Sequence, residues 1–235
     1  MKRFFKNAIY VTTSLVLITP SQLKAQDKVE ASVGADIVSS YIWRGENLGG
    51  MSVQPSLSLE YKGLSLEAWG SAGLQKDDEK ELDLTLAYSK DGFTIGVTDY
   101  FFTGGPGYLH YGANNTAHTF EAQVGYDFGH LALNWYTNFA GYDGVNKNGN
   151  RAYSSYISLA VPFSLGGLDW NAEIGATPWT TDFYNEGSNG FTICDISLGA
   201  SKDIKITDSF TVPTFAKVTV NPKTEASYFV FGVSF

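Results

Sequence analysis

Ala226-Ser227-Tyr228-Phe229-Val230-Phe231-Gly232-Val233-Ser234-Phe235 is the stretch on which the fold turns. Side chains alternate across an extended strand. Phe229, Phe231, Val233 and Phe235 therefore share one face, and Tyr228, Gly232 and Ser234 fall on the other. One side is large and apolar; the other is mostly small or polar. A strand of this kind needs a greasy medium against its large face, and it ends on a bare phenylalanine.

The opposite end reads as an export signal over residues 1–25. Lys2, Arg3 and Lys6 open it, Ala8 to Ile18 is mostly apolar, and Leu23-Lys24-Ala25 closes on a small residue suited to cleavage. The apolar stretch is too short for a permanent spanning helix. No cysteine follows the cut, which argues against lipidation. Removing the signal takes away Lys2, Arg3, Lys6 and Lys24 and no acidic residue. Twelve basic residues then face 24 acidic ones, a formal net charge of −12. Such a surface excludes nucleic acid as a partner. The single Cys194 supports no disulfide framework and reads as a small apolar strand residue.

Residues 26–235 read as one domain. They hold no apolar run long enough for a membrane helix, and period-two alternation fills nearly every segment. Twelve strands are expected, near 29–43, 51–61, 64–73, 80–89, 92–102, 117–128, 130–140, 151–162, 167–178, 190–201, 208–220 and 224–235. Their connections alternate. Lys62-Gly63, Lys90-Asp91, Gly129, Phe163 to Gly166 and Lys202 to Thr207 are short. Arg44 to Gly50, Leu74 to Glu79, Thr103 to Thr116, Gly141 to Asn150 and Trp179 to Asn189 are longer and polar, and Asn221 to Lys223 is the exception. Sorting of loop length by parity is the pattern of outer-membrane barrels, and the terminal run resembles their last strand. Alternation alone also fits a soluble barrel or sandwich. The expected fold is therefore an all-β, transmembrane, antiparallel up-and-down barrel of about twelve strands. It would lie in the outer membrane of a Gram-negative bacterium with both termini periplasmic. Its partners would be outer-membrane lipids, the barrel-assembly machinery and small solutes. Phe229, Phe231, Val233 and Phe235 would act as the assembly signal.

Leu82, Leu84, Leu86 and Tyr88 oppose Glu81, Asp83, Thr85 and Ser89, and other strands repeat the contrast. Aromatics near strand ends, among them Tyr41, Trp43, Tyr61, Tyr88, Tyr126, Phe128, Trp135, Phe139, Tyr153, Phe163 and Trp170, fit two interfacial girdles. The same parity gathers Glu30, Asp36, Glu60, Glu67, Glu81, Asp83, Glu121, Asp127, Asp169, Glu173 and Asp195 inside, with Lys217 inward and Arg44 near the rim. Asp36, Arg44, Glu67, Glu81, Asp83, Glu121, Glu173, Asp195 and Lys217 are the expected pore lining. An acidic passage focuses the field and favours cations. Tyr100, Tyr136, Tyr156 and Tyr228 also point inward and would line or block it. Twelve strands lie between filled barrels of eight and open porins of sixteen or more, so both a channel and a non-conducting surface barrel stay open.

The first strand runs Ser39-Ser40-Tyr41-Ile42-Trp43-Arg44-Gly45 into a loop and a second strand with Gln54, Pro55 and Ser56. Ser39, Tyr41, Trp43, Arg44 and Gly45 resemble the Ser-x-Tyr-x-aromatic-Arg-Gly run that opens the TorF-type porins, a family of small outer-membrane proteins. The resemblance covers about the first 35 mature residues. It implies outer-membrane location and porin activity and names no solute. From the residues alone, Arg44 either reaches the lumen to pair with a carboxylate or forms a strand-to-loop corner with Gly45.

An enzyme is not expected. Some twelve-stranded barrels are lipid hydrolases, which need a nucleophile beside a positioned base. His110, His118 and His130 are the only histidines. Tyr111, Thr116 and Thr119 lie near His118, but no His–Ser–acid spacing stands out. No cofactor and no metal are expected. Asp143 to Asn150 lacks the ligand alternation and final Glu of a calcium loop, and no phosphate-binding loop or zinc cluster is present. The loop from Thr103 to Thr116 would either be displayed or fold inward to narrow the pore.

Overall fold

The computed structural model describes residues 28–235 apart from 76, 77, 79, 113, 114 and 209. The expected signal over residues 1–25 lies outside them. Among the described residues the regular elements are fourteen strands. They are β1 (Glu30–Val38), β2 (Tyr41–Trp43), β3 (Glu46–Gly49), β4 (Ser52–Tyr61), β5 (Leu64–Gly73), β6 (Lys80–Lys90), β7 (Phe93–Phe102), β8 (His118–Asp127), β9 (Ala132–Gly141), β10 (Ser155–Leu165), β11 (Leu168–Thr177), β12 (Thr192–Lys205), β13 (Thr211–Asn221) and β14 (Ala226–Ser234). All but β2 and β3 form one closed antiparallel barrel in sequence order, sealed where β1 meets β14. Closure leaves no unpaired edge, which a backbone surrounded by lipid requires.

The connections sort by end. The described residues of 62–63, 91–92, 128–131, 166–167 and 206–210 make one rim; those of 39–51, 74–79, 103–117, 142–154, 178–191 and 222–225 make the other. On the first rim two turns shift most from expectation. Phe163 stays in β10 opposite Trp170, and β12 continues to Lys205. Both strands carry their ladders further because the cross-strand partners continue on each side.

Burial inverts the pattern of a soluble protein. Leu57, Leu59, Leu64, Leu66, Leu82, Leu84, Leu86, Ile95, Val97, Leu133, Ile196, Leu198, Val218, Phe229 and Phe231 are exposed on the outer wall, whereas Glu81, Asp83, Glu121, Asp195 and Lys217 are buried. Large apolar groups outside and charges inside suit a wall whose outer medium is hydrocarbon. The seam is short: only Asp36, Ile37 and Val38 pair with Ser234, Val233 and Gly232. Phe235 extends it, because its N–H donates to the Ala35 carbonyl (3.0 Å) and its carbonyl accepts from the Ala35 N–H (3.2 Å).

The main departure lies in the first strand, expected to run to Trp43. It leaves the wall after Val38, and Tyr41 to Gly49 folds back as the hairpin β2–β3. The turn is Arg44-Gly45, both with positive φ (48° and 83°). That is the signature of a two-residue hairpin turn. Glycine is needed here twice over: a Cβ on Gly45 would lie 1.9 Å from the Cys194 carbonyl oxygen of β12. Tyr41 and Trp43 are therefore not girdle residues. Both are buried, and their rings meet Trp69 of β5 and Tyr100 of β7. Near Gly45 lie β12 and Asn221 of β13. Only from inside a barrel can one short hairpin touch strands so far apart around its wall.

Candidate functional site

The hairpin delivers Arg44 into the lumen, where it is 4% exposed. Its guanidinium grips Glu121 of β8 with two bonds, Nη1 to Oε2 at 2.6 Å and Nη2 to Oε1 at 2.8 Å. Tyr100 of β7 donates to the same carboxylate at 2.9 Å, and Tyr184 at 3.2 Å. Four rings surround the guanidinium carbon: Trp43 and Tyr136 at 4.3 Å, Tyr156 at 4.8 Å and Tyr184 at 5.6 Å from their centroids. A planar cation held by a two-pronged carboxylate and aromatic faces is the arrangement arginine suits and lysine does not. Register explains why these groups converge. Thr98 pairs with Glu121, Gln123 with Tyr136, and Tyr136 with Tyr156, so neighbouring strands present them on one inner face. Gly175 of β11 leaves room: a Cβ there would overlap the Tyr156 hydroxyl.

The connection 178–191 presses on the hairpin from its other side. The Asn185 N–H donates to Glu46 Oε1 (2.6 Å), and Asn221 Nδ2 donates to the Gly45 carbonyl (3.0 Å) and to Asn185 Oδ1. Glu46 belongs to the hairpin and not to a spanning strand. Burial pushes its carboxyl up to about 7, against the Asn185 N–H and the Arg44 charge, which pull it down. Cys194 is buried against the aromatic cluster. The ladder shifts there, since Gly175 pairs with Asp195 and Ala176 with Ile193. This bulge turns both Cys194 and Asp195 inward.

The other expected lining residues divide around this centre. Glu81 and Asp83 sit beside the Tyr41 hydroxyl on one side. Glu173, Asp195 and Lys217 form a second charged group across the lumen. Asp36 and Glu67 are half-buried on the same inner parity. Arg44, for which a lumen pairing and a strand-to-loop corner both stood open, does both: it turns the chain with Gly45 and pairs with Glu121 inside the lumen.

The described residues of the connection 103–117 do not enter the lumen as a plug. Tyr108 and Tyr111 instead cover His118, whose Nδ1 lies 2.8 Å from Asp99 Oδ1 and whose Nε2 lies 2.6 Å from the Tyr108 carbonyl. Asp99 shares the outward parity of Ile95 and Val97, so this pair lies on the outer wall. An N–H must face the carbonyl, which leaves no ring nitrogen free as a base toward a nucleophile. The pair pins a loop. A cavity of about 400 Å³ opens between this loop's base and Phe183, lined also by Phe102, Thr119 and Tyr142. The Asp143 loop is likewise spent internally: the Gly144 and Ser154 N–H groups and Asn138 donate to Asp143, and Arg151 lies 3.9 Å away. Among the described residues no group of three His, Cys, Asp or Glu side chains is placed to hold a metal ion.

No family model and no curated protein sequence matches the chain. The resemblance to TorF-type porins therefore rests on the first-hairpin residues alone. Two solved structures are similar in outline. One is the KdgM porin, at 8% identity and a TM-score of 0.44, covering 88% of this chain and 98% of that one. The other is an outer membrane channel from Pseudomonas putida F1, at 13% identity and a TM-score of 0.39, covering 92% and 98%. Scores this low establish neither kinship nor activity.

Sequence reasoning missed the inward hairpin and the outward His118–Asp99 pair. The first had a signal. Arg44-Gly45 between Tyr41-Ile42-Trp43 and Glu46-Asn47-Leu48 is a turn flanked by short extended runs. The second had none, because Asp99 lies 19 residues from His118.

Proposed function

We propose that the chain is an outer-membrane, porin-like barrel for passive passage of small solutes, cationic or neutral ones in preference to anions, with the first-loop hairpin narrowing its lumen. The supporting observation is the polarity of the wall: an apolar outer surface on every barrel strand around an inner face that carries Glu81, Asp83, Glu121, Glu173 and Asp195 against Arg44 and Lys217. A ring of carboxylates in a confined, low-dielectric passage favours cations. The long connections would face the outside and both termini the periplasm. Single-channel recording in planar bilayers tests this, comparing the wild type with a variant whose residues 40–50 are replaced by Asn-Gly. The variant should carry the larger unitary current, with a reversal potential on the cation side in a salt gradient. Neutralising Glu81 and Asp83 together should reduce that preference. Glu121 is left out because Arg44 already neutralises it.

A non-conducting surface barrel is the second reading, favoured by the buried hairpin and Tyr184 filling the lumen. Absence of current in both proteins would select it.

Phe229, Phe231, Val233 and Phe235 are proposed as the assembly signal, with the barrel-assembly machinery as partner. Deleting Phe235 also removes two seam bonds to Ala35. Export should be unaffected and the yield of folded barrel should fall; undiminished yield would overturn the assignment.

A further inference from the structure

Arg44 occupies a site that the wall builds without it. Glu121, Tyr100, Tyr136 and Tyr156 come from β8, β7, β9 and β10, four consecutive strands of the rigid barrel. Only Trp43 and Tyr184 belong to connections. The wall thus offers a carboxylate held by a tyrosine hydroxyl, flanked by two ring faces whose centroids lie 4.3 and 4.8 Å from the bound guanidinium carbon. Glu121 is 1% exposed. With Arg44 withdrawn it would be a carboxylate in a confined, ring-lined passage without a counter-charge, which is costly unless another cation enters. The hairpin that supplies Arg44 joins the wall at its two ends, and its tip meets β12 and β13 through the Cys194 backbone and Asn221.

We propose that this pocket is a binding site for guanidinium-bearing solutes and that Arg44 is its built-in competitor. The carboxylate reads the paired N–H fork, and the flanking rings read the flat cationic face. An alkylammonium presents a point charge with no such plane, so the site discriminates by shape as well as by charge. The solute's route to the pocket rests on the channel reading; its binding does not.

The test therefore measures binding in detergent, where no current is involved. Arg44→Gly empties the pocket, stem included, and suits the positive φ at this position. The 40–50 Asn-Gly variant empties it by removing the hairpin, and it serves if the glycine variant does not fold. Folding is judged by heat-modifiable migration and strand circular dichroism. Calorimetric titration with ethylguanidinium chloride should give saturable binding to either emptied barrel. Binding should weaken about tenfold or more when Glu121→Gln is added, as loss of a charge-assisted bond implies. Ethylammonium chloride should bind about tenfold more weakly than ethylguanidinium, since it cannot fill the fork. A folded, emptied barrel that shows no saturable binding, equal affinity for the two cations, or indifference to Glu121→Gln overturns the proposal. Binding without current in any variant would retain the site and remove the channel; current without binding would do the reverse.

Discussion

Two connections at the same end of the barrel take opposite courses. The first, residues 39–51, dives into the lumen; the third lays Tyr108 and Tyr111 over His118 on the outer wall. Each is secured through one buried cation-type side chain and one carboxylate: Arg44 with Glu121 inside, His118 with Asp99 outside. The carboxylates occupy neighbouring strands and differ in parity. Glu121 faces in beside Tyr100, whereas Asp99 faces out in line with Val97. On a wall with period-two side chains, one residue of register decides on which side of the barrel a loop finds its partner. The surroundings follow: the inner pair is wrapped in hairpin and wall, the outer one in Tyr108, Tyr111, Phe101 and Phe120.

The contrast breaks most visibly at the inner pair. Arg44→Met leaves Glu121 buried and uncompensated, and it should cost about 3–5 kcal/mol of stability in urea titrations in lipid vesicles. The double variant with Glu121→Gln should cost less than the sum of the two single changes. Strict additivity would show that the two side chains do not act as a pair. His118→Ala should be milder, about 1–3 kcal/mol for loss of its buried hydrogen bonds. It should speed protease cleavage within 103–117 and leave unitary current unchanged. A current change equal to that of the hairpin variant would erase the distinction between the two loops.

The smallest effect concerns Glu46. Its folded value, about 7, lies above the usual carboxylate value of 4.5. Its contribution to hairpin docking is therefore full below about 4.5 and is lost as pH rises through about 7. Current through the wild type should be modestly larger at pH 9 than at pH 5. Glu46→Gln should flatten that difference, and an unchanged pH profile in this variant would assign the effect elsewhere.

Most of the wall was legible from alternation. The expected strand 80–89 became Lys80–Lys90, 64–73 was unchanged, and Glu81, Asp83, Glu121, Asp195 and Lys217 face inward as parity required. Strand reading failed at Tyr41 and Trp43. Alternation continues through them, so periodicity alone cannot show that the chain has left the wall. Turn chemistry at Arg44-Gly45 held the clue, and a two-residue turn is the shortest signal in the chain.

By itself the sequence determined the strands, their loop parity and the inversion of polarity, because each depends on neighbours one to a few residues apart and on a period of two; closure pairs β1 with β14 from opposite ends of the chain. Tertiary structure alone decided the fates of Arg44 and His118. Their partners, Glu121 and Asp99, stand 77 and 19 residues away, and only the barrel's register and closure bring such distant side chains within hydrogen-bonding reach.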